Sequence, residues 1–336
     1  MLLSYKENVY YKVKKNREGI ALILFTAKLS TKHREKLAET FPDQEIVYSK
    51  SEYETIKYLP EAEIIVTYGS DLTEDLLSTA TSLKWIMVIS AGVEELPFQL
   101  LKEKNVVVTN AKGIHKVQMA EYAISMLLQV YRQGKTIMER EKEQNWDPAV
   151  KVNEISSKTI VIAGTGAIGQ EVARLAKAFR MKTIGISRSG KAVDFFDENH
   201  ASGNLNQVLP QADFLVSVLP STGETKEFFT DEHFRAMPEH AVFLNMGRGD
   251  AVKSEVILKA IQTGEIAHAI LDVFEEEPLP AGHPLWTEEN ITVTPHISGK
   301  SPHYVARAME IFTENLKNHL EQKDNYINKV NLSRGY

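Results

Sequence analysis

Cysteine is absent from all 336 residues. That excludes disulfides, thiolate nucleophiles, Cys-ligated zinc and iron–sulfur clusters, and no metal site is expected. A basic excess is also lacking: 39 Lys and Arg stand against 45 Asp and Glu, a formal charge of −6. Phosphate-backbone binding runs on surplus cations, so nucleic acid is not an expected partner. Long apolar runs are missing too. The longest near the start, Ile20–Phe25, is far short of the roughly 20 residues that cross a bilayer. The first residues carry no basic stretch, apolar region and small-residue cleavage site of a secretory signal. The cytoplasm is therefore the expected compartment, and no membrane partner is expected. The small cluster Lys12, Lys14, Lys15 and Arg17 reads as a solvated lead-in.

The apolar share of 43% and charged share of 25% suit a soluble globular chain that buries a sizeable core. At roughly 150 residues per domain, two domains are expected. No repeat of fixed period stands out, which removes solenoids and propellers. Short apolar runs alternate with helical patterns, the mark of parallel α/β layers. Ile20–Phe25, Glu45–Tyr48, Ile64–Val66, Trp85–Ile89 and Val106–Val108 read as one set of strands. Thr159–Ala163, Thr183–Ser187, Phe214–Val218, Ala241–Asn245, Ala267–Leu271 and Thr292–Thr294 read as a second. The expected fold is α/β, with two doubly wound, Rossmann-like parallel-sheet domains. Between the sets, Val117–Tyr131 is apolar over too wide an arc for one stripe, which predicts a helix buried on more than one side. Pro302–Leu320 reads as an amphipathic helix near the end.

Gly164-Thr165-Gly166-Ala167-Ile168-Gly169 follows a β-branched strand and opens a helix with apolar positions Ile168, Val172, Leu175, Ala176 and Phe179. In that context each glycine has a task. Gly164 makes a tight turn, Gly166 lets backbone approach a pyrophosphate, and Gly169 lets helix pack on strand. An acidic residue about 20 positions further on would hold the ribose hydroxyls of NAD. Here the next strand ends in Ser187-Arg188-Ser189-Gly190-Lys191, with no carboxylate. Arg188 can clamp a 2′-phosphate and Ser187 and Ser189 can hydrogen-bond it, which favours NADP(H) over NAD(H).

Three more strand ends carry polar residues: Asn245-Met246-Gly247-Arg248, Asp272 to Glu277, and Thr294-Pro295-His296. Ligands of open α/β sheets sit at such ends. An Arg, a carboxylate and a His there suit hydride transfer at a carbinol carbon next to a carboxylate. The Arg binds the carboxylate, the His moves the hydroxyl proton, and the acid steadies the imidazolium.

With these motifs in order, the chain resembles the D-isomer-specific 2-hydroxyacid dehydrogenase family from about Ala21 to the C-terminus. Asn110–Gly113 and Met119-Ala120-Glu121 belong to the same resemblance. It implies Arg248 as substrate binder, Glu277 as partner of His296, and His296 as acid/base. It implies that backbone N–H groups of Ala91 and Gly92 meet the substrate carboxylate and that Asp272 holds the nicotinamide carboxamide. Pro220 and Thr225 would flank the adenosine half, with Met246 a further cofactor contact, and Tyr68 could line the side-chain pocket. A flavodoxin-like substrate domain would come from residues 1–110 and 298–336, with a dinucleotide-binding domain, 111–297, inserted. The family pattern further implies a homodimer through the cofactor domains. The expected activity is reduction of a glyoxylate- or hydroxypyruvate-type 2-oxo acid. Two other readings stay open: a phosphoglycerate-dehydrogenase-like enzyme, disfavoured because little chain follows the last helix, and a non-enzymatic dinucleotide-sensing corepressor. The chain departs from the pattern at Glu94, usually Asp, in the missing acid near Ser187, and over its first 19 residues.

Overall fold

The computed structural model describes residues 20–90, 92–93 and 95–333. The basic cluster Lys12–Arg17, Ala91 and Glu94 lie outside the described residues. Chain contacts divide the protein into two compact units, Met1–Ile114 with His303–Tyr336, and His115–Pro302. These divisions fall a few residues beyond 110/111 and 297/298. Ala111 and Ile114 are buried in the core of the first unit, and Arg307 donates to the Ile114 carbonyl.

The first unit runs β1 (Leu22–Phe25), α1 (Thr31–Thr40), β2 (Glu45–Tyr48), α2 (Glu52–Tyr58), β3 (Ile64–Thr67), α3 (Glu74–Thr79), β4 (Trp85–Val88), α4 (Phe98–Glu103) and β5 (Val107–Asn110). Its strands are all parallel, in the order β2-β1-β3-β4-β5. Parallel sheets carry helices on both faces, so their strands read as continuous apolar runs. Alternate residues accordingly enter two cores: Ile23, Phe25, Ile64, Val66 and Trp85 on one face, Leu24, Ile65, Ile86 and Val88 on the other. The helix Tyr304–Leu320 closes the first face. Phe312 stacks on Trp85 at 5.4 Å and meets Phe25 edge-on at 5.4 Å.

The second unit begins with α5 (Lys116–Tyr131) and α6 (Gly134–Lys142). It continues through β6 (Thr159–Ala163), α7 (Ala167–Ala178), β7 (Lys182–Ser187), β8 (Glu198–Ala201), α8 (Leu205–Val208), β9 (Phe214–Ser217) and α9 (Asp231–Arg235). It ends with β10 (Val242–Asn245), α10 (Ser254–Gln262), β11 (His268–Leu271) and β12 (Ile291–Val293). Seven parallel strands lie in the order β12-β11-β10-β9-β6-β7-β8. The order reverses between β6 and β9, the switch point at which such sheets bind ligands. Strand β8, Glu-Asn-His-Ala, has no apolar run and sits half-buried at the edge, so periodicity does not disclose it. Helix α5 packs on α7, with Ala120, Ala123 and Leu127 buried against Val172, Ala173 and Ala176. No helix among the described residues is long and apolar enough to cross a membrane.

His268 at the start of β11 gives this unit an acid-sensitive spot. Its Nε2 pairs with Thr292 Oγ1 at 2.9 Å, and burial, aided by the Lys135 charge, holds the imidazole down to about 4. The unfolded chain takes up a proton here below about 6.5. Stability from this site is therefore complete above that pH and is lost between about 6.5 and 4, by up to about 3 kcal/mol. His268→Gln keeps a hydrogen-bonding amide without titrating. Denaturant melts should show a flatter acid limb for this variant; an unchanged slope would refute the assignment.

Candidate active site

The glycine turn lies at the switch point. Val218, just past β9, donates to the Ala163 carbonyl at the end of β6. Gly164 has φ +106°, and a Cβ there would sit 2.9 Å from Val218 Cγ2 and 3.1 Å from its carbonyl oxygen. A Cβ on Gly169 would fall 1.9 Å from the Gly164 carbonyl oxygen, so α7 packs on the turn only as glycine. A Cβ on Gly166 would meet nothing within 4 Å. Open space thus faces the N-terminus of α7, where the Ala167 and Ile168 amides have no intrahelical acceptor. Free amides and the positive helix end fit a pyrophosphate, so a nicotinamide dinucleotide matches these residues.

Past β7, Arg188 is exposed and forms no ion pair among the described residues. Ser187 Oγ accepts from Gly190 N at 3.2 Å and Ser189 Oγ from Lys191 N at 3.3 Å. Both serines brace the turn as acceptors, which leaves each hydroxyl proton available. Gly190 has φ +66°, and a Cβ there would come 2.6 Å from Ala201 N of β8. The unforeseen edge strand thereby fixes the turn that presents Arg188.

On the other side of the switch point, β10, β11 and β12 are neighbours, about 4.8 Å apart. Arg248 follows β10, Asp272 and Glu277 follow β11, and His296 follows β12. All four lie in the second unit. His296 Nδ1 is 2.7 Å from Glu277 Oε2. A carboxylate only accepts, so Nδ1 carries the hydrogen and Nε2 is left for a ligand. Glu277 Oε1 accepts from Phe274 N at 3.0 Å, so both of its oxygens are committed. The His296 side chain is 51% exposed, enough for a reactant to reach it. Its φ of +50° is a left-handed conformation uncommon outside glycine. Asp272 holds it there: His296 N donates to the Asp272 carbonyl, and the fully buried carboxylate accepts from Thr294 Oγ1, Ile297 N and Ser298 N.

Arg248 is exposed, and one of its guanidinium nitrogens donates to the Gly247 carbonyl at 2.8 Å. Its turn is set by buried Asn245, whose amide donates to the Arg248 carbonyl and accepts from Gly247 N. Burial pushes the nearby His115 imidazole down, a bond to the Gly299 carbonyl opposes this, and the Arg248 charge adds to the lowering.

The remaining expected contact residues are placed as follows. Asp272, expected at the nicotinamide carboxamide, is 0% exposed and spends its carboxylate on the His296 loop. Its side chain acts on the loop, since no oxygen faces outward. Met246 is 1% exposed and belongs to the core beneath the sheet, leaving only its main chain near the strand end. Thr225 Oγ1 donates to the Pro220 carbonyl at 2.5 Å, so this pair stabilises its own turn. Tyr68 and Gly92 belong to the first unit. There Tyr68 is 44% exposed past β3, and Ser90 Oγ donates to the Gly92 carbonyl at 2.9 Å past β4. Ala91 lies outside the described residues. Sequence reasoning missed Asn245, Phe274 and Thr294 as supports; the Asn at a strand end was a readable turn signal.

Comparison with known proteins follows the same lines. Residues 124–298 match the model of the D-isomer specific 2-hydroxyacid dehydrogenase NAD binding domain. A D-isomer specific 2-hydroxyacid dehydrogenase family protein of Aeromonas salmonicida subsp. salmonicida A449 superposes with TM-score 0.79 at 33% identity, covering 93% of this chain and 99% of that one. The NADPH-dependent glyoxylate/hydroxypyruvate reductase of Sinorhizobium meliloti, solved with NADP and sulfate, gives 0.76 at 26% identity, over 94% and 100%. Glyoxylate/hydroxypyruvate reductase B of Yersinia pestis (strain Pestoides F) is 31% identical over 257 residues, 74% of this chain and 78% of its own. D-3-phosphoglycerate dehydrogenase of Methanocaldococcus jannaschii is 29% identical over 308 residues, 88% of this chain but 57% of that longer protein. In sequence motifs, sheet order and matched domain alike, the chain belongs to the D-isomer specific 2-hydroxyacid dehydrogenase family.

Proposed function

We propose that the protein reduces a small 2-oxo acid of the glyoxylate or hydroxypyruvate type to its D-2-hydroxy acid, with NADPH preferred over NADH. The observation that carries this reading is the 2.7 Å pair of His296, past β12, and Glu277, past neighbouring β11, with Arg248 past the next strand β10. The bound dinucleotide supplies the hydride. Arg248 takes the substrate carboxylate in paired hydrogen bonds and orients the neighbouring carbonyl. His296 gives a proton from Nε2 to the carbonyl oxygen as it becomes a hydroxyl. Glu277 holds the imidazole tautomer and its orientation through Nδ1. The two relatives named glyoxylate/hydroxypyruvate reductases support the substrate size, and the one named NADPH-dependent supports the cofactor.

Arg188, where an acid would serve NAD, supports the 2′-phosphate as ligand. A homodimer through the second unit fits its exposed apolar side chains Ile137, Met138, Trp146 and Val152. Absorbance assays with NADPH or NADH against glyoxylate, hydroxypyruvate, pyruvate and a phosphorylated 2-oxo acid test the proposal. Glyoxylate or hydroxypyruvate should be turned over fastest. Losing one charge-assisted contact, Arg188→Ala should raise KM for NADPH about tenfold or more and leave NADH nearly unchanged. Equal use of both cofactors by the wild type would refute the preference. Turnover confined to the phosphorylated acid would favour a phosphoglycerate-dehydrogenase-like enzyme.

A further inference from the structure

Beneath His296 runs a chain of hydroxyl groups that the proposed reaction does not use. Tyr122, half-buried on α5, has its hydroxyl 2.7 Å from Thr294 Oγ1. Thr294 Oγ1 lies 2.5 Å from Asp272 Oδ1. The direction of the chain follows from chemistry. A carboxylate oxygen accepts, so the single Thr294 proton points at Asp272. Thr294 can then only accept from Tyr122, and Tyr122 must donate. Burial pushes the Tyr122 phenol far up, opposed in part by the Thr294 bond and reinforced by the Asp272 charge. The phenol therefore keeps its proton and its role as donor.

The far end of the chain is the loop of His296. Asp272 Oδ1 also accepts from Ile297 N and Oδ2 from Ser298 N, both at 2.9 Å, while His296 N donates to the Asp272 carbonyl at 2.9 Å. Four bonds from one buried residue thus fix residues 294–298 around a left-handed His296. Such a backbone persists only where its surroundings over-determine it. Orienting a charged acceptor inside a protein needs donors on each side, and linked hydrogen bonds reinforce one another. Tyr122 supplies the outermost donor, from a different helix.

We propose that Tyr122 is a positioning residue for the acid/base step, acting through Thr294 and Asp272 on the aim of His296 Nε2. This rests on the role given to His296 above. Tyr122 touches no reacting atom, so its loss should slow the chemical step without weakening reactant binding. A small misaim of a catalytic group costs on the order of tenfold to a hundredfold.

The test is single-turnover oxidation of NADPH by stopped flow, with enzyme in excess and glyoxylate saturating. Misfolded protein then dilutes the enzyme but does not change the rate constant. Tyr122→Phe removes one oxygen and should lower the rate constant about tenfold, with KM values for NADPH and glyoxylate within about twofold of wild type. Thr294→Val should act similarly, and the double variant should be no slower than Thr294→Val, because both break one chain. Thr294→Ser keeps the hydroxyl and should restore most of the rate. A wild-type rate constant in Tyr122→Phe, or additive losses in the double variant, would overturn the proposal. His296→Ala in the same series separates the two claims. If that variant turns over normally, the acid/base assignment fails. If it is inactive while Tyr122→Phe is unaffected, only the positioning role fails.

Discussion

His296→Ala is expected to lose about a thousandfold in kcat for glyoxylate reduction while binding NADPH with near wild-type affinity. Both halves of that expectation come from the geometry. The proton donor is one ring nitrogen, Nε2, because Nδ1 is spent on Glu277 at 2.7 Å. Removing the ring leaves water to protonate the developing alkoxide, and general acid catalysis contributes factors of roughly 10² to 10⁴. Dinucleotide binding should survive, since the glycine turn follows β6, three strands along the sheet from β12's neighbour β11. Glu277→Gln should fall between the two enzymes: the amide still meets Nδ1, but it offers no charge to the imidazolium. Steady-state kinetics with a fluorescence titration of NADPH measure both. Retained turnover in His296→Ala would remove His296 from the mechanism; parallel loss of NADPH binding would show that the ring supports the fold.

Most of the sheet architecture was readable because parallel strands covered on both faces are continuous apolar runs. Ile64–Val66 and Phe214–Val218 stand out for that reason, and β3 and β9 form there. Strand β8 was not readable, since an edge strand with polar residues has no such run and is defined by hydrogen bonds to β7. The same contrast holds at the site. Gly164 and Gly169 are legible because the packing of the turn dictates glycine there, and Gly166 because it completes the fixed spacing of the pyrophosphate turn. Arg248, Glu277 and His296 stand out because charged groups gather at strand ends. Asp272 looked alike in sequence, yet its carboxylate is 0% exposed and accepts hydrogen bonds from the His296 loop. Whether a carboxylate faces a ligand or a loop depends on contacts such as Ile297 N and Ser298 N, which spacing does not reveal. Tyr122 is hidden more deeply still, because one Tyr on an apolar helix reads as core until its hydroxyl partner is known.

Gly249→Ala is expected to cost at least about 3 kcal/mol of stability, at the upper end of overpacking penalties, and to lower the melting temperature by roughly 10 °C. A Cβ at this position would sit 1.9 Å from both the carbonyl carbon and oxygen of Phe274 and 2.6 Å from its Cα. Contacts under 3.0 Å are essentially never seen for a real Cβ, and here backbone faces backbone with no flexible side chain to swing away. The chain must open by about an ångström between the turn after β10 and the turn after β11. Both carry site residues. Arg248 directly precedes Gly249 in the first turn. In the second, Phe274 N holds Glu277 Oε1 at 3.0 Å, and Glu277 Oε2 holds His296 at 2.7 Å. Displacing Phe274 therefore reaches the proton donor through one carboxylate, and a misplacement of that size costs about a hundredfold in kcat. Gly203→Ala is the matched control, since a Cβ there meets nothing within 4 Å. Thermal melts and kcat for the two variants decide the matter. Equal melting temperatures would show that the strand ends yield without strain. A destabilised but fully active Gly249→Ala would show that Glu277 does not depend on Phe274, and that the link from packing to proton transfer breaks there.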